Sequence, residues 1–514
     1  MISSRATPFA GHGGCFARSG LARPPAPSFR ELRRMADYFF FRRKLAAVFA
    51  IAVPTLGLVT GCGLGTGTTV TLKDAEPTAQ KTAEPPSADK DKAPKGQLTT
   101  PVTKVDDKSV VDVVKGDVKG GEAASGGTPE DYLWQIPNPA LIKDEPLVVS
   151  APKGLPPILT YVPPSNPLTK GKVELGKQLY FEPRVSLNGT VSCATCHNPA
   201  KGWTDQLKTS TGIDGQVGGR NAPTVLNTVY GKTMFWDGRA PSLEGQSQGP
   251  PQNPIEMGKQ SYKQIIERLR EISAYKEQFA KVFGTDVTLD GFAKAIASFE
   301  RVTALSGNST FDKYTSGDLE ALNESQKRGM VLFGLRLHLD DEFKPTAALK
   351  KADCTSCHIG QNFTDEQFHN LGIGWKDGQK SFADIGRYAI DAVGSKNVAD
   401  MGGFKTPTIR DIESTGPYMH DGSLKTLEEV VEHYNKGGNP NPFLDKAIKK
   451  LNLTDAEKAD VVAFMKALAG EKVAFTLPTL PAGPDGKTPD PADALAAPSP
   501  KAAFNEAVHP MFGR

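Results

Sequence analysis

Cysteine is scarce in this sequence. Of 514 residues six are Cys, four of them sit in two short strings, and Cys15 and Cys62 precede any globular pattern. No pair is left for a disulfide framework. Charge of one sign is lacking too: a net charge of +3, with Lys and Arg spread along the chain, forms no basic stripe, which argues against nucleic acid as a partner. The apolar stretch from Leu45 to Thr60 is too short to span a bilayer comfortably. Convincing strand alternation is missing as well, so the expected fold class is mainly α with long Gly- and Pro-rich loops.

What the cysteines do form is specific. Cys193-Ala194-Thr195-Cys196-His197 and Cys354-Thr355-Ser356-Cys357-His358 repeat one Cys-x-x-Cys-His string, and chance would supply roughly 0.001 such strings in a chain of this composition. A Cys-x-x-Cys pair alone also suits a redox dithiol or half a zinc site. Two thiols three positions apart can form thioethers to the two vinyl groups of a haem, and the next residue, His, then lies under the iron as its axial ligand. Two covalent c-type haems are therefore expected, on Cys193, Cys196 and His197 and on Cys354, Cys357 and His358.

Arg42, Arg43 and Lys44 ahead of the Leu45 to Thr60 stretch read as a signal peptide beginning at Met35. Residues 1 to 34 then read as an extension from an earlier start codon. Leu58-Val59-Thr60-Gly61-Cys62 resembles a lipoprotein lipobox, which makes Cys62 a lipidation site; small residues before a cysteine also suit an ordinary cleavage region. Export fits c-type haem attachment, which in bacteria takes place outside the inner membrane.

Five segments are expected: 1–62 as extension and signal, 63–130 as a disordered linker poor in aromatics, 131–325 and 326–475 as two helical haem domains, and 476–514 as a Pro- and Ala-rich tail. Three helices are legible. Phe292, Ile296 and Phe299 share a face. Thr426 and Glu429 form a capping box before Leu427, Val430, Val431 and Tyr434. Thr454 and Glu457 do the same before Val461, Phe464, Met465 and Leu468.

Longer strings resemble the bacterial diheme cytochrome c peroxidase family, which includes MauG. They are Leu175-Gly-Lys-Gln-Leu-Tyr-Phe-Glu-Pro-Arg184, Arg220-Asn-Ala-Pro-Thr-Val-Leu-Asn227, Phe235-Trp-Asp-Gly-Arg-Ala240, Asn253-Pro-Ile-Glu-Met257, Phe404-Lys-Thr-Pro-Thr408 and Pro417-Tyr-Met-His-Asp-Gly422. The resemblance runs from about residue 165 to 470 and implies a bacterial source and two c-type cytochrome-like domains with one haem each. It further implies that His197 holds the peroxidatic haem, that Glu256 is the distal acid and base, and that Gln246 and Pro250 shape the peroxide pocket. Trp236 matches a tryptophan between the haems. Asn221, with the carbonyls of Thr415 and Pro417, matches a calcium site, and oxygen-only ligation suits that cation.

Two departures sharpen the expectation. Other members carry a histidine between the first haem string and Arg-Asn-x-Pro-Thr that caps the peroxidatic iron; here Asn198 to Gly219 contains none, and the next His is His338. The second haem's sixth ligand, elsewhere methionine, falls on Tyr434, as it does in MauG, with His433 and Met419 as alternatives. A tyrosinate would stabilise ferric iron. The leading expectation is a peroxidase that reduces hydrogen peroxide with electrons from a small c-type cytochrome or other periplasmic donor. A MauG-like oxidase acting on a protein side chain and a plain electron carrier are the competing ones. A periplasmic, lipid-anchored location completes the expectation.

Overall fold

The computed structural model describes residues 130–335, 351–390, 397–472 and 474–496. The signal segment with Cys62, nearly all of the 63–130 linker, His338 and the end of the tail lie outside them. The described chain is mainly helical, with four two-residue strands forming two separate antiparallel ladders. Among the described residues no helix is long and apolar enough to cross a membrane.

The chain uses one packing device twice. In the first half, α1 (Lys170–Tyr180) crosses α6 (Leu289–Thr303), and in the second, α8 (Glu324–Phe333) crosses α10 (Asp455–Lys466). Each crossing has a glycine at its closest point. A Cβ on Gly176 would fall 1.9 Å from the Ala295 carbonyl oxygen, and one on Gly329 would fall 1.8 Å from that of Asp460. Only a missing side chain lets the backbones meet, and an aromatic one turn on, Phe299 or Phe464, fills the flank.

Around the first crossing lies a core of Leu175, Leu179, Tyr180, Phe181, Phe292, Ile296 and Phe299, extended by Ile265 and Ile266 of α4 (Tyr262–Arg270) and Phe279 of α5 (Ser273–Phe283). Around the second lies another, of Met330, Phe333, Phe363, Phe464, Met465 and Leu468, with Leu427 and Val431 of α9 (Leu427–Asn435). Remaining helices are short: α2 (Cys193–Cys196), α3 (Leu243–Gln248) and α7 (Thr310–Thr315). The capping boxes at Thr426 and Thr454 form as their sequences predict, each Thr Oγ1 accepting from the backbone N–H of the Glu three residues on.

The first part of the Pro- and Ala-rich tail packs on the first core. Phe475 stacks on Phe181 with ring centroids 5.5 Å apart, Leu480 is buried in the first core, and Arg184 Nη2 donates to the Pro481 carbonyl at 2.8 Å. Thr195, inside the first haem string, donates to the Ala494 carbonyl at 2.7 Å. Four apolar residues, Phe475, Leu477, Leu480 and Leu495, anchor the segment to the first core. Prolines at the intervening positions remove backbone donors without preventing that contact.

Candidate haem sites

Each Cys-x-x-Cys-His string forms one helical turn: α2 at the first site and a 3-10 turn, Cys354–Ser356, at the second. None of the four cysteines is in a disulfide. The histidines are oriented alike. His197 Nδ1 donates to the Trp203 carbonyl at 3.4 Å, and His358 Nδ1 donates to the Phe363 carbonyl at 3.0 Å. A carbonyl only accepts, so Nδ1 carries the proton and the Nε2 lone pair is left for iron. Burial lowers the proton affinity of both rings, which keeps them neutral as ligands. This donor set fits two haem c groups.

The two sites differ in what accompanies the cysteines. At the first, Glu256 is held by Asn253, whose Nδ2 donates to Oε1 at 2.8 Å. Burial raises the Glu256 carboxyl above its ordinary value, with Arg239 and Asn253 opposing. Burial raises the thiols of Cys193 and Cys196 first, and the charge of Glu256 adds to both as the last of the causes, which puts the carboxyl within electrostatic reach of the first haem string. Gln246 lies on α3 and Pro250 opens the next turn, in the same segment that leads to Glu256. Asp237 fixes Arg239 through both carboxylate oxygens, at 2.9 and 2.8 Å, and the guanidinium lies 3.5 Å over the Phe235 ring. Arg239 and Asn253 carry no chemical signal of their own in the sequence; each sits in a string that points to its neighbour, Trp236 or Glu256.

At the second site, the Tyr434 phenol has its proton affinity raised by burial first, then by Cys354 and Cys357. The structure thus brings Tyr434 near the second haem string. His433, the next residue on α9, is directed elsewhere, its Nε2 donating to the Leu371 carbonyl at 3.1 Å. Met419 lies in the turn closed by the Tyr418–Leu424 bridge, with φ at 70°.

Trp236 joins the two halves. Its Nε1 donates to the Asn221 carbonyl at 2.9 Å, and its own carbonyl accepts from Lys405 N at 2.8 Å, on the strand Phe404–Lys405. Arg220 spans the same seam, with Nη1 2.5 Å from Asp237 Oδ2 and a fork onto Asp384 at 2.6 and 3.0 Å. Asn221 is buried, spends Nδ2 on the Leu207 carbonyl at 2.8 Å and receives no competing donor at Oδ1 among the described residues. Nor do the carbonyls of Thr415 and Pro417, on either side of the Gly416–Pro417 peptide, accept a hydrogen bond there. Oxygen acceptors left without donors are what a hard cation requires.

Comparison with known proteins identifies the family. The model of the family described as di-haem cytochrome c peroxidase matches residues 170–320. The methylamine utilization protein MauG of Methylorubrum extorquens is 40% identical over 323 residues, covering 62% of this chain and 84% of that one. The cytochrome c551 peroxidase of Nitrosomonas europaea is 38% identical over 336 residues, covering 65% and 89%. A crystal structure of a MauG-like protein associated with microbial copper homeostasis superposes with a TM-score of 0.53 at 30% identity, covering 64% of this chain and 95% of that one. Two helical halves, each with a haem string and an oriented histidine, and relatives matched over most of their length lead to one assignment: the chain belongs to the di-haem cytochrome c peroxidase family.

Proposed function

We propose that this chain reduces hydrogen peroxide to two waters, taking two electrons from a small c-type cytochrome or similar donor and two protons from solvent. The observation that carries this reading is the Glu256 carboxyl, raised by burial and held by Asn253 beside the first haem string. The haems supply the redox equivalents. Glu256 takes the proton from one peroxide oxygen and returns it to the other, so that the departing oxygen leaves as water. Asn253 occupies Oε1, which assigns Oε2 to the proton transfer. Gln246 and Pro250 border the peroxide, and Trp236, bonded to both halves, links the haem held by His358 to the haem held by His197. A plain electron carrier has no need of a proton-exchanging carboxyl at its haem.

Residues 131–325 and 326–475 serve as the peroxidatic and electron-transfer domains in this reading, supported by two cores with a glycine-centred helix crossing in each, although Tyr314 and Leu322 pack in the second core and Phe475 in the first. Tyr434 is the second haem's sixth ligand, supported by its closeness to Cys354 and Cys357. Asn221 Oδ1 and the carbonyls of Thr415 and Pro417 would hold a calcium ion that ties the halves together. Cys62 would anchor the protein by lipid on the periplasmic side of a membrane.

With no histidine between Asn198 and Gly219, the oxidised protein accepts peroxide without prior reduction. Mixing peroxide and reduced donor with fully oxidised protein tests this: immediate donor oxidation is expected, and a lag removed only by pre-reduction overturns it. Tyr434 and the 40% identity to MauG favour a second reading, oxidation of a protein side chain. Slow turnover with a long-lived spectral change at both haems distinguishes it from rapid donor oxidation.

A further inference from the structure

A histidine that none of these roles uses sits beside the second haem string. His369 has a carboxylate on each ring nitrogen: Nδ1 lies 2.7 Å from Asp445 Oδ2 and Nε2 lies 3.0 Å from Asp365 Oδ2. A carboxylate at its ordinary charge only accepts hydrogen bonds, so both nitrogens must donate and the ring must be an imidazolium. The Cys357 sulfur, the Asp365 carboxylate and the His369 ring present atoms within 4.8 Å of one another. None of the three clamp side chains is more than 27% exposed, so solvent screens this charge only in part. Contact with the Cys357 sulfur raises the ring's proton affinity, burial opposes it, and Asp445 and Asp365 raise it further. A thioether at Cys357 removes the first of these contacts and leaves both carboxylates in place.

The clamp also ties together segments that serve opposite faces of the second haem. Asp365 follows two residues after Phe363, whose carbonyl orients His358. His369 lies on the strand Phe368–His369, paired with Phe404–Lys405. Asp445 belongs to the loop after α9, the helix that carries Tyr434, and its N–H donates to the Asn370 carbonyl at 3.0 Å.

We propose that His369, clamped between Asp365 and Asp445, is a positioning residue for the second haem that holds a fixed positive charge at its thioether edge and thereby sets its reduction potential. A cation there disfavours the ferric state, and the two carboxylates oppose it. Removing the cation and removing one carboxylate must therefore move the potential in opposite directions. The inference rests on the second haem being the electron-handling one, and its test reads potentials rather than turnover, so it can fail while peroxidase activity stands.

The experiment is a spectroelectrochemical titration of the haem-loaded protein that resolves each haem. His369→Gln is expected to lower the second haem's midpoint, changing its reduced-to-oxidised ratio at fixed potential about tenfold, equivalent to about 59 mV for one electron. The first haem is expected to stay in place. His369→Lys, which restores a cation able to donate to both carboxylates, is expected to recover most of the shift, and Asp445→Asn to raise the midpoint. An unchanged second-haem midpoint in His369→Gln, equal shifts at both haems, or the same sign for His369→Gln and Asp445→Asn would overturn the proposal. If His369→Gln fails to take up haem, the sign given by Asp445→Asn decides.

Discussion

A carboxyl that must take and return a proton within one turnover works best when its affinity is shifted toward the operating pH. Glu256 meets that condition, because burial raises it from 4.5 while Arg239 and Asn253 keep it from being locked in the neutral form. In the proposed role the carboxylate is the form that accepts the peroxide proton, so kcat/KM should fall as pH drops through the raised value. Glu256→Gln should lower kcat/KM by about 10²-fold or more and abolish that acid limb, as a steady-state pH profile would show. Glu300 makes an instructive contrast. It is buried, its Oε2 has no partner among the described residues, and burial pushes it up to about 8. Arg301 opposes the shift and Glu244 adds to it. The folded chain therefore keeps a proton that the unfolded chain releases above about 4.5, so this contribution to stability is complete below that pH and lost as pH rises through 8. Glu300→Gln should flatten that dependence, measured as denaturation midpoints at pH 5 and pH 8.

At the scale of elements, the two helix crossings depend on atoms that are absent. Gly329→Ala would set a Cβ against the Asp460 carbonyl, and the helices must part to admit it, at a cost of about 1–3 kcal/mol. A urea titration of the haem-loaded variant checks this; an unchanged midpoint would mean that the crossing is not tight. Much of this level was legible beforehand, since the capping boxes of Thr426 and Thr454 and the Phe292, Ile296, Phe299 face depend on neighbours within a turn or two. The return of Phe475, Leu480 and Ala494 to the first core was not, because such a contact joins residues about three hundred positions apart and leaves no periodicity. The same limit applies to the His369 clamp, whose three members mean nothing until the strand, the proximal loop and the loop after α9 are folded together.

Across the whole molecule, the proposed function has electrons passing between two halves that are separate cores. Arg220 bridges them, bonded to Asp237 on one side and Asp384 on the other, close to Trp236. Arg220→Ala leaves Asp384 without its guanidinium fork while Asp237 keeps Arg239, a loss of about 1–3 kcal/mol for a partly buried pair. Slower electron transfer from the second haem to the first is expected, observed by stopped-flow reduction, with each haem's own spectrum preserved. The haem attachment residues could be read from the chain because five adjacent residues specify them. The distal residues could be read only by resemblance, since a lone Glu or Tyr has no periodic signature. The central claim is that two attachment strings of one Cys-x-x-Cys-His pattern carry unlike haems, the one on His197 open at its distal face and the one on His358 closed by Tyr434. Electron paramagnetic resonance of the fully oxidised protein tests it most directly, alongside Tyr434→Phe. One high-spin and one low-spin haem are predicted, with only the low-spin signal altered in the variant; two low-spin haems, or a variant identical to the parent, would contradict it.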